Sequence, residues 1–382
     1  VWLFFGHKNW NFWSGDNQNP MCLSTIIIDR IQKEGPISFC DFMEMALYHP
    51  DLGYYSSGRE KFGPSGDYFT SPGCTPLFGA LIARQMEEMW CHLGCGAFTI
   101  VEYGAGNGSL CSAILDALKD NAALFGQLNY VIIEKSPALV RQQKQILAAP
   151  VSWCDAVADA GPVTGCILSN EVLDNFAVHQ VIMKEELMEI FVDYRNGFTE
   201  ILLPAADELK HYLGELGIRL SEGSRMEINL QATSWITDNA NALKKGFLLT
   251  IDYGSSSEAL YQPNRSSGTL ACYYKHTVND SPYDNIGEQD ITAHVNFSAL
   301  QHWGVLNELE FCGLTSQAHF LQGLGITALL RKQEQRQTVA AQDLVMLQRF
   351  LVDMGRKFKV LIQQKGLSRV PLSGLNFARQ LI

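Results

Sequence analysis

The chain has 382 residues, enough for one large domain or two of medium size. Hydrophobic residues make up 47% and charged residues 18%, a globular composition, and no apolar run reaches the roughly 18 residues of a membrane helix. The net charge of −11 argues against a phosphate-backbone binder, and ten scattered cysteines, several in apolar runs, suit reduced thiols in a soluble, cytoplasmic protein.

Residues 1–20, "VWLFFGHKNWNFWSGDNQNP", lack the basic start and cleavage site of a secretory signal and are too poor in Arg and Ser for a mitochondrial presequence. They read as an extension outside the fold, because helical patterning starts only at Met21. Over 24–47, Ile27, Ile28 and Ile31, then Phe39, Phe42, Met43, Ala46 and Leu47, recur at helical spacing. Residues 49–73 form a long Gly/Pro/Ser-rich loop with embedded aromatics, a length that inside a compact domain points to function. Thr75-Pro76 opens the next helix, Thr as N-cap and Pro in the first turn. Cys91 and Cys95 follow as the one close cysteine pair; with no second pair at zinc spacing, the expectation is buried thiols on a helix end and no metal.

A regular alternation comes next. Phe98–Tyr103 reads as a strand, Ser109–Leu118 as a helix, Tyr130–Ile133 as a strand, Ser136-Pro137 to about Leu147 as a helix, then Val151–Trp153 and Cys166–Leu168 as strands. Two successive βαβ units predict a doubly wound α/β sheet with helices on both faces. After Phe176 the pattern changes to three antiparallel strands with turns at Lys184–Glu186 and Arg195–Gly197. Residues 232–244 read as helix, 246–254 as a buried strand, 268–275 as a strand and 358–366 as a late edge strand. The expected organisation is an extension (1–20), a helical part with the long loop (21–95), the α/β core (96–177), an inserted β-rich segment (178–245), and the remaining core strands with a second insertion and a basic C-terminal segment (246–382). From Arg331 onward ten Lys/Arg stand against three Asp/Glu, either a solvated helical face or a dock for an acidic partner.

The first strand ends in Glu102 and is followed by Gly104, Gly106 and Gly108. Missing side chains let the backbone turn tightly and let a ligand approach the main chain. A dinucleotide turn, G-x-G-x-x-G, would place its third glycine at 109, where this chain has Ser. The observed E-x-G-x-G-x-G suits a cofactor without phosphates, S-adenosylmethionine, whose cationic amino group favours a nearby acid. Glu134, at the end of the second strand, is placed to accept ribose hydroxyls. Asp155, just past the third, could accept from the adenine amino group. The bland alternative is a tight βα turn with two acids at exposed loop ends.

The fourth strand runs into "LSNEVLDNFAVHQ" (168–180), at the carboxyl edge where such sheets bind ligands. Asn170 could align the cofactor or a donor nitrogen, and Glu171 brings a carboxylate. A helical turn would put Asp174 on roughly the same face. Alternatively Asn170 is an N-cap, with both acids in a first helical turn. Methyl transfer to arginine brings a second cation up to a sulfonium, and a carboxylate pair would offset that repulsion and orient the guanidinium. A neutral amide or an amine would suit the same residues.

Together these stretches resemble the MidA-like methyltransferases, which include a mitochondrial complex I assembly-factor methyltransferase and bacterial relatives. The similarity spans about 24–366 and rests on ordered motifs: "HPDLGYY" (49–55), "GDYFTSP" (66–72), "PLFG" (76–79), "VEYGAGNG" (101–108), "SNEVLDNFAVHQ" (169–180), "IDYG" (251–254), and "GTLACYYKH" leading to "GEQDITAHVNF" (287–297). The resemblance implies a class I, Rossmann-like S-adenosylmethionine-dependent methyltransferase acting on a protein, arginine favoured, with a respiratory-complex subunit as the kind of substrate. By motif match Glu102, Gly104, Gly106, Gly108 and Glu134 would hold the cofactor. Asp67, Thr70, Ser71 and Pro72 would fold over it, Glu171 and Asp174 would face the acceptor, and Asp290 and His294 would lie near the site or brace it. It also implies the mitochondrial matrix if the protein is eukaryotic. Two positions depart from the family pattern: Gly73 where Glu is usual, and Asn175-Phe176-Ala177 where an Ala-Leu-Pro-like run is usual. An inactive methyltransferase-fold scaffold and an NAD(P)-dependent reductase remain the competing functions. Nucleic acid and membrane insertion are not expected. A dimer is compatible with the sequence but not fixed by it.

Overall fold

The computed structural model describes residues 22–56, 76–147, 150–262, 267–335 and 355–377. Asp67, Thr70, Ser71, Pro72, Gly73 and the proposed cap Thr75 lie outside these residues, as does the 1–20 extension. The chain groups into two compact units. One is drawn from Val1–Arg59, Asn175–Trp235 and Glu258–Ala293, the other from Glu60–Asp174, Ile236–Ser257 and His294–Ile382.

The first unit opens with α1 (Leu23–Glu34), β1 (Ile37–Ser38) and α2 (Phe39–Tyr48). The apolar spacing read from the sequence is what these helices bury: Leu23, Ile27 and Ile31 on α1, and Phe39, Phe42, Met43, Ala46 and Leu47 on α2. Ser38 caps α2, its hydroxyl accepting from the Asp41 N–H at 3.0 Å. The second unit then begins with α3 (Pro76–His92), β2 (Phe98–Tyr103), α4 (Ser109–Leu118), β3 (Leu128–Ile133), α5 (Pro137–Ile146), β4 (Val151–Cys154) and β5 (Val163–Asn170). The chain returns to the first unit with β6 (His179–Met183), β7 (Leu187–Tyr194) and β8 (Phe198–Pro204), an antiparallel run with turns at 184–186 and 195–197, as the polar breaks predict. Strand β9 (Arg225–Ile228) pairs with β6 and completes the sheet β1-β7-β6-β9, with β8 on β7.

Helix α6 runs Leu230–Ala242, and β10 (Leu243–Ser255) follows at once, so the strand starts before the expected end of the helix. In the first unit, β11 (Ala271–Tyr274), β12 (Thr277–Asn279) and β13 (Asp290–Thr292) form a small sheet. The second unit closes with β14 (Val295–Asn296), α7 (Phe297–Leu306), β15 (Glu310–Ser316), α8 (Gln317–Gly323) and β16 (Phe358–Lys365).

The sheet of the second unit has the order β15-β16-β10-β5-β2-β3-β4. Strands β4, β3, β2, β5 and β10 are parallel neighbours, and β16 runs antiparallel to both β10 and β15. The chain winds outward in both directions from β2, so the switch point lies between β2 and β5, at whose carboxyl ends a crevice opens. One side of the sheet carries an apolar core in which α3 and α4 pack Phe78, Leu81, Met86, Leu110 and Ile114 against Ile100, Cys166, Phe247 and Val360.

The expectation of an edge strand over 358–366 is corrected. β16 is interior, and β15, which the sequence reading did not find, takes the edge. Gln363 and Gln364 of this strand are completely buried. Gln363 Nε2 donates to the Leu300 carbonyl, and Gln364 Nε2 donates to Glu310 and to the Leu367 carbonyl. The pair Cys91 and Cys95 is also corrected: both thiols are exposed, Cys91 at the end of α3 and Cys95 in the following turn at φ +57°.

Candidate active site

The turn after β2 holds Gly104, Gly106 and Gly108 at φ +58°, +56° and +81°, a left-handed sequence that L side chains resist. A Cβ on Gly104 would meet Val172 Cγ2 at 3.1 Å, and one on Gly108 would meet Ile146 and Leu147 at 3.3 Å. Helix α4 starts immediately afterward, and its first amide, from Ser109, is already taken by the Asn107 side-chain oxygen at 3.1 Å. A pyrophosphate would need that amide. The cradle therefore fits a cofactor with an open, exposed backbone at Gly104 and no phosphate to anchor.

Glu102 lies under this turn at 2% exposure, with the Tyr130 hydroxyl donating to its Oε2 at 2.7 Å. Burial pushes its carboxyl up to about 7, with the Tyr130 hydrogen bond pulling the other way and the Glu134 charge adding to the rise. Glu134, half-buried past β3, accepts from the Ser136 N–H at 3.0 Å and from Gln143 Nε2 at 3.2 Å. The same Gln143 amide donates to the Gly106 carbonyl at 2.8 Å, and its oxygen accepts from Trp153 Nε1 at 2.8 Å. Fully buried Gln143 thus ties the glycine turn, Glu134 and β4 together. The sequence reading missed it, because a lone glutamine on an amphipathic helix carries no local signal. Asp155 is exposed just past β4.

At the end of β5 the helical turn expected after Asn170 is absent. Glu171 is left-handed at φ +55°, and only a 3₁₀ turn, Leu173–Asn175, follows. The N–H groups of Val172 and Leu173, which an Asn170 N-cap would bond with its side-chain oxygen, donate instead to Asp252 Oδ2, at 3.1 and 2.9 Å. Asn170 is therefore not an N-cap. Its side-chain N–H donates to Glu171 Oε1 at 3.3 Å, while its Oδ1 is buried with no hydrogen-bond partner among the described residues. Such an orphan acceptor is expensive unless a ligand donor meets it. Glu171 and Asp174 are both half-buried.

In the first unit Asp290 is 3% exposed and braces its surroundings: its Oδ1 accepts from the Tyr55 hydroxyl at 2.9 Å, Asn175 Nδ2 at 3.1 Å and the Ile291 N–H at 3.0 Å. In the second unit the His294 ring lies edge-on to Tyr253, centroids 4.3 Å apart. Among the described residues no cluster of acids, histidines and cysteines could hold a metal ion, and no helix is long and apolar enough to cross a membrane.

With this geometry in hand, comparison with known proteins is informative. A family described as "Putative S-adenosyl-L-methionine-dependent methyltransferase" matches residues 81–315. A mitochondrial protein arginine methyltransferase NDUFAF7 homologue of Caenorhabditis elegans is 25% identical over 378 residues, covering 88% of this chain and 85% of its own. The human mitochondrial NDUFAF7 protein arginine methyltransferase is 25% identical over 338 residues, covering 79% and 73%. A Burkholderia thailandensis protein solved with S-adenosyl-homocysteine bound superposes with a TM-score of 0.85 at 31% identity, over 94% of this chain and 95% of that one. The strand order, the phosphate-free glycine cradle and these relatives agree on one conclusion: the chain belongs to the MidA-like S-adenosylmethionine-dependent methyltransferases and has their class I fold.

Proposed function

We propose that this methyltransferase modifies a protein side-chain nitrogen, with arginine as the acceptor. The observation that carries this reading is the Asn170–Glu171 pair at the carboxyl end of β5. Asn170 offers a buried carbonyl oxygen in need of a donor, and Glu171 stands next to it with a carboxylate held at 3.3 Å. A guanidinium has donors for both. It also remains charged at any pH a protein tolerates. The acids Glu171 and Asp174 offset its repulsion from a sulfonium and localise its charge away from the reacting nitrogen. S-adenosylmethionine, when bound, supplies an electrophilic methyl carbon on that sulfonium. The chain's own part is to seat the cofactor on the glycine turn, with Glu134 for its ribose and Glu102 beneath the turn. Asn170 aligns the acceptor, and Glu171 takes the proton that the nitrogen sheds on methylation. The names of the NDUFAF7 relatives support arginine, at 23–25% identity.

The test is transfer of labelled methyl groups into an extract of cells lacking this protein, followed by mass spectrometry of the labelled band. Methylated arginine sustains the proposal, and label on lysine or on a side-chain amide overturns the choice of acceptor. Glu171→Gln should keep cofactor affinity and lower the transfer rate by about 10²-fold or more. Cofactor binding by the wild type without transfer to any extract protein would return the chain to the scaffold reading.

A further inference from the structure

Asp252 has no part in the chemistry proposed above, yet its carboxylate accepts three backbone N–H groups beside the site. It lies on β10, one residue beyond the last register pair of β5 with β10, Asn170 with Ile251, and is completely buried. Its Oδ2 accepts from the N–H groups of Val172 (3.1 Å) and Leu173 (2.9 Å). Its Oδ1 accepts from the Tyr253 N–H at 2.7 Å. The Glu171 N–H is held by the neighbouring Ile251 carbonyl at 2.9 Å. Three consecutive amides, 171–173, are therefore anchored on two adjacent residues of β10.

Successive amides that converge in this way form an anion nest, of the kind proteins use for phosphate. Here the occupying anion is the chain's own. Burial pushes the Asp252 carboxyl up to about 6, and the backbone N–H bonds oppose that rise. The left-handed Glu171 is thereby fixed at φ +55°, a strained conformation for a side chain of this size. Val172, bonded to Asp252, is also the residue that a Cβ on Gly104 would strike. The clamp thus fixes the segment bearing both acids against the glycine turn.

We propose that Asp252 is a positioning residue for methyl transfer: it holds segment 171–174 so that Glu171 and Asp174 face the acceptor. This rests on the acceptor-side role given to those acids above. It separates positioning from cofactor binding, because none of the bonds that Asp252 makes involves Gly106, Glu134 or Gln143.

The experiment compares wild type with Asp252→Asn. An amide side chain keeps the size but puts N–H groups against backbone N–H groups. S-adenosylmethionine affinity by calorimetry should be unchanged, while the maximal rate of labelled transfer into extract protein falls about 10²-fold, the cost of a misplacement near 1 Å. Hydrogen exchange of peptides covering 171–175 should be slow in wild type, matching β5, and fast in the variant. Two outcomes overturn the proposal: an unchanged rate in Asp252→Asn, or cofactor affinity falling in step with the rate, which marks a general structural prop. If the variant does not fold, wild-type exchange decides, since fast exchange at 172 and 173 denies the clamp and slow exchange sustains it. If wild type binds S-adenosylmethionine but transfers no methyl group, the proposed function fails and the exchange measurement still judges the clamp.

Discussion

At the amino end of the central sheet, a methyl group on Gly165 would lie 2.0 Å from the Thr99 carbonyl oxygen, and one on Gly246 would lie 2.0 Å from that of Gly165. At the carboxyl end, a methyl group on Gly104 would meet one valine methyl group at 3.1 Å and no backbone. The two ends use the same residue for different purposes. Where β2, β5 and β10 begin, glycine lets three backbones close on one another. Where β2 ends, glycine leaves a backbone open. Gly165 and Gly246 are therefore where substitution should unfold the protein, and Gly104 is where it should disarm it.

The largest effect that would sharpen this contrast is expected for Gly165→Ala. Its new Cβ collides with rigid backbone, so a loss above ~4 kcal/mol, or no cooperative transition, is expected in urea unfolding. Gly104→Ala should cost only the ~1–2 kcal/mol of a left-handed alanine while weakening S-adenosylmethionine binding. Equal stabilities for the two variants would break the comparison.

A second, smaller effect concerns Glu102, which lies directly beneath the open end. Its carboxyl is raised from an ordinary 4.5 to about 7 by burial. Between those values the native protein holds a proton that the unfolded chain has lost. Its contribution is therefore fully present below about 4.5 and disappears as pH rises through about 7. Glu102→Gln keeps an acceptor for Tyr130 and removes the buried charge. Unfolding midpoints should show it more stable than wild type at pH 8, by up to ~3 kcal/mol, with the advantage shrinking toward pH 5. A pH-independent difference would place the charge elsewhere.

The smallest effect is expected at Gln143. Gln143→Leu orphans the Gly106 carbonyl, Glu134 and Trp153 Nε1 together. Calorimetry should show cofactor affinity about tenfold weaker, about 1.4 kcal/mol. Unchanged affinity would show that the turn keeps its shape without this tie.

What was legible in the sequence follows the range of the forces involved. The βαβ alternation, the glycine turn and the antiparallel run over 179–204 are local patterns of periodicity and turn chemistry, and the structure has them where the residues put them. The departures each depend on a distant partner. The alternative of an Asn170 helix cap fails because Asp252, about 80 residues later, accepts from the two amides a cap would have bonded. The strand over 358–366 reads as an edge until Glu310–Ser316 pairs along its outer side, with Glu310 accepting from Gln364. Gln143 carried no signal, because its three partners lie on three different elements. "IDYG" was recognisable as a motif, but the work of its aspartate became visible only once β10 lay beside β5.

The placement of β16 bears on how the protein is made. The strand that fills the slot between β10 and β15 is the last of the sheet to leave the ribosome, and it must enter between two strands synthesised earlier. Until residue 365 has emerged, both neighbours present unpaired edges, so the nascent second unit waits, exposed to chaperones and to aggregation, for its final strand.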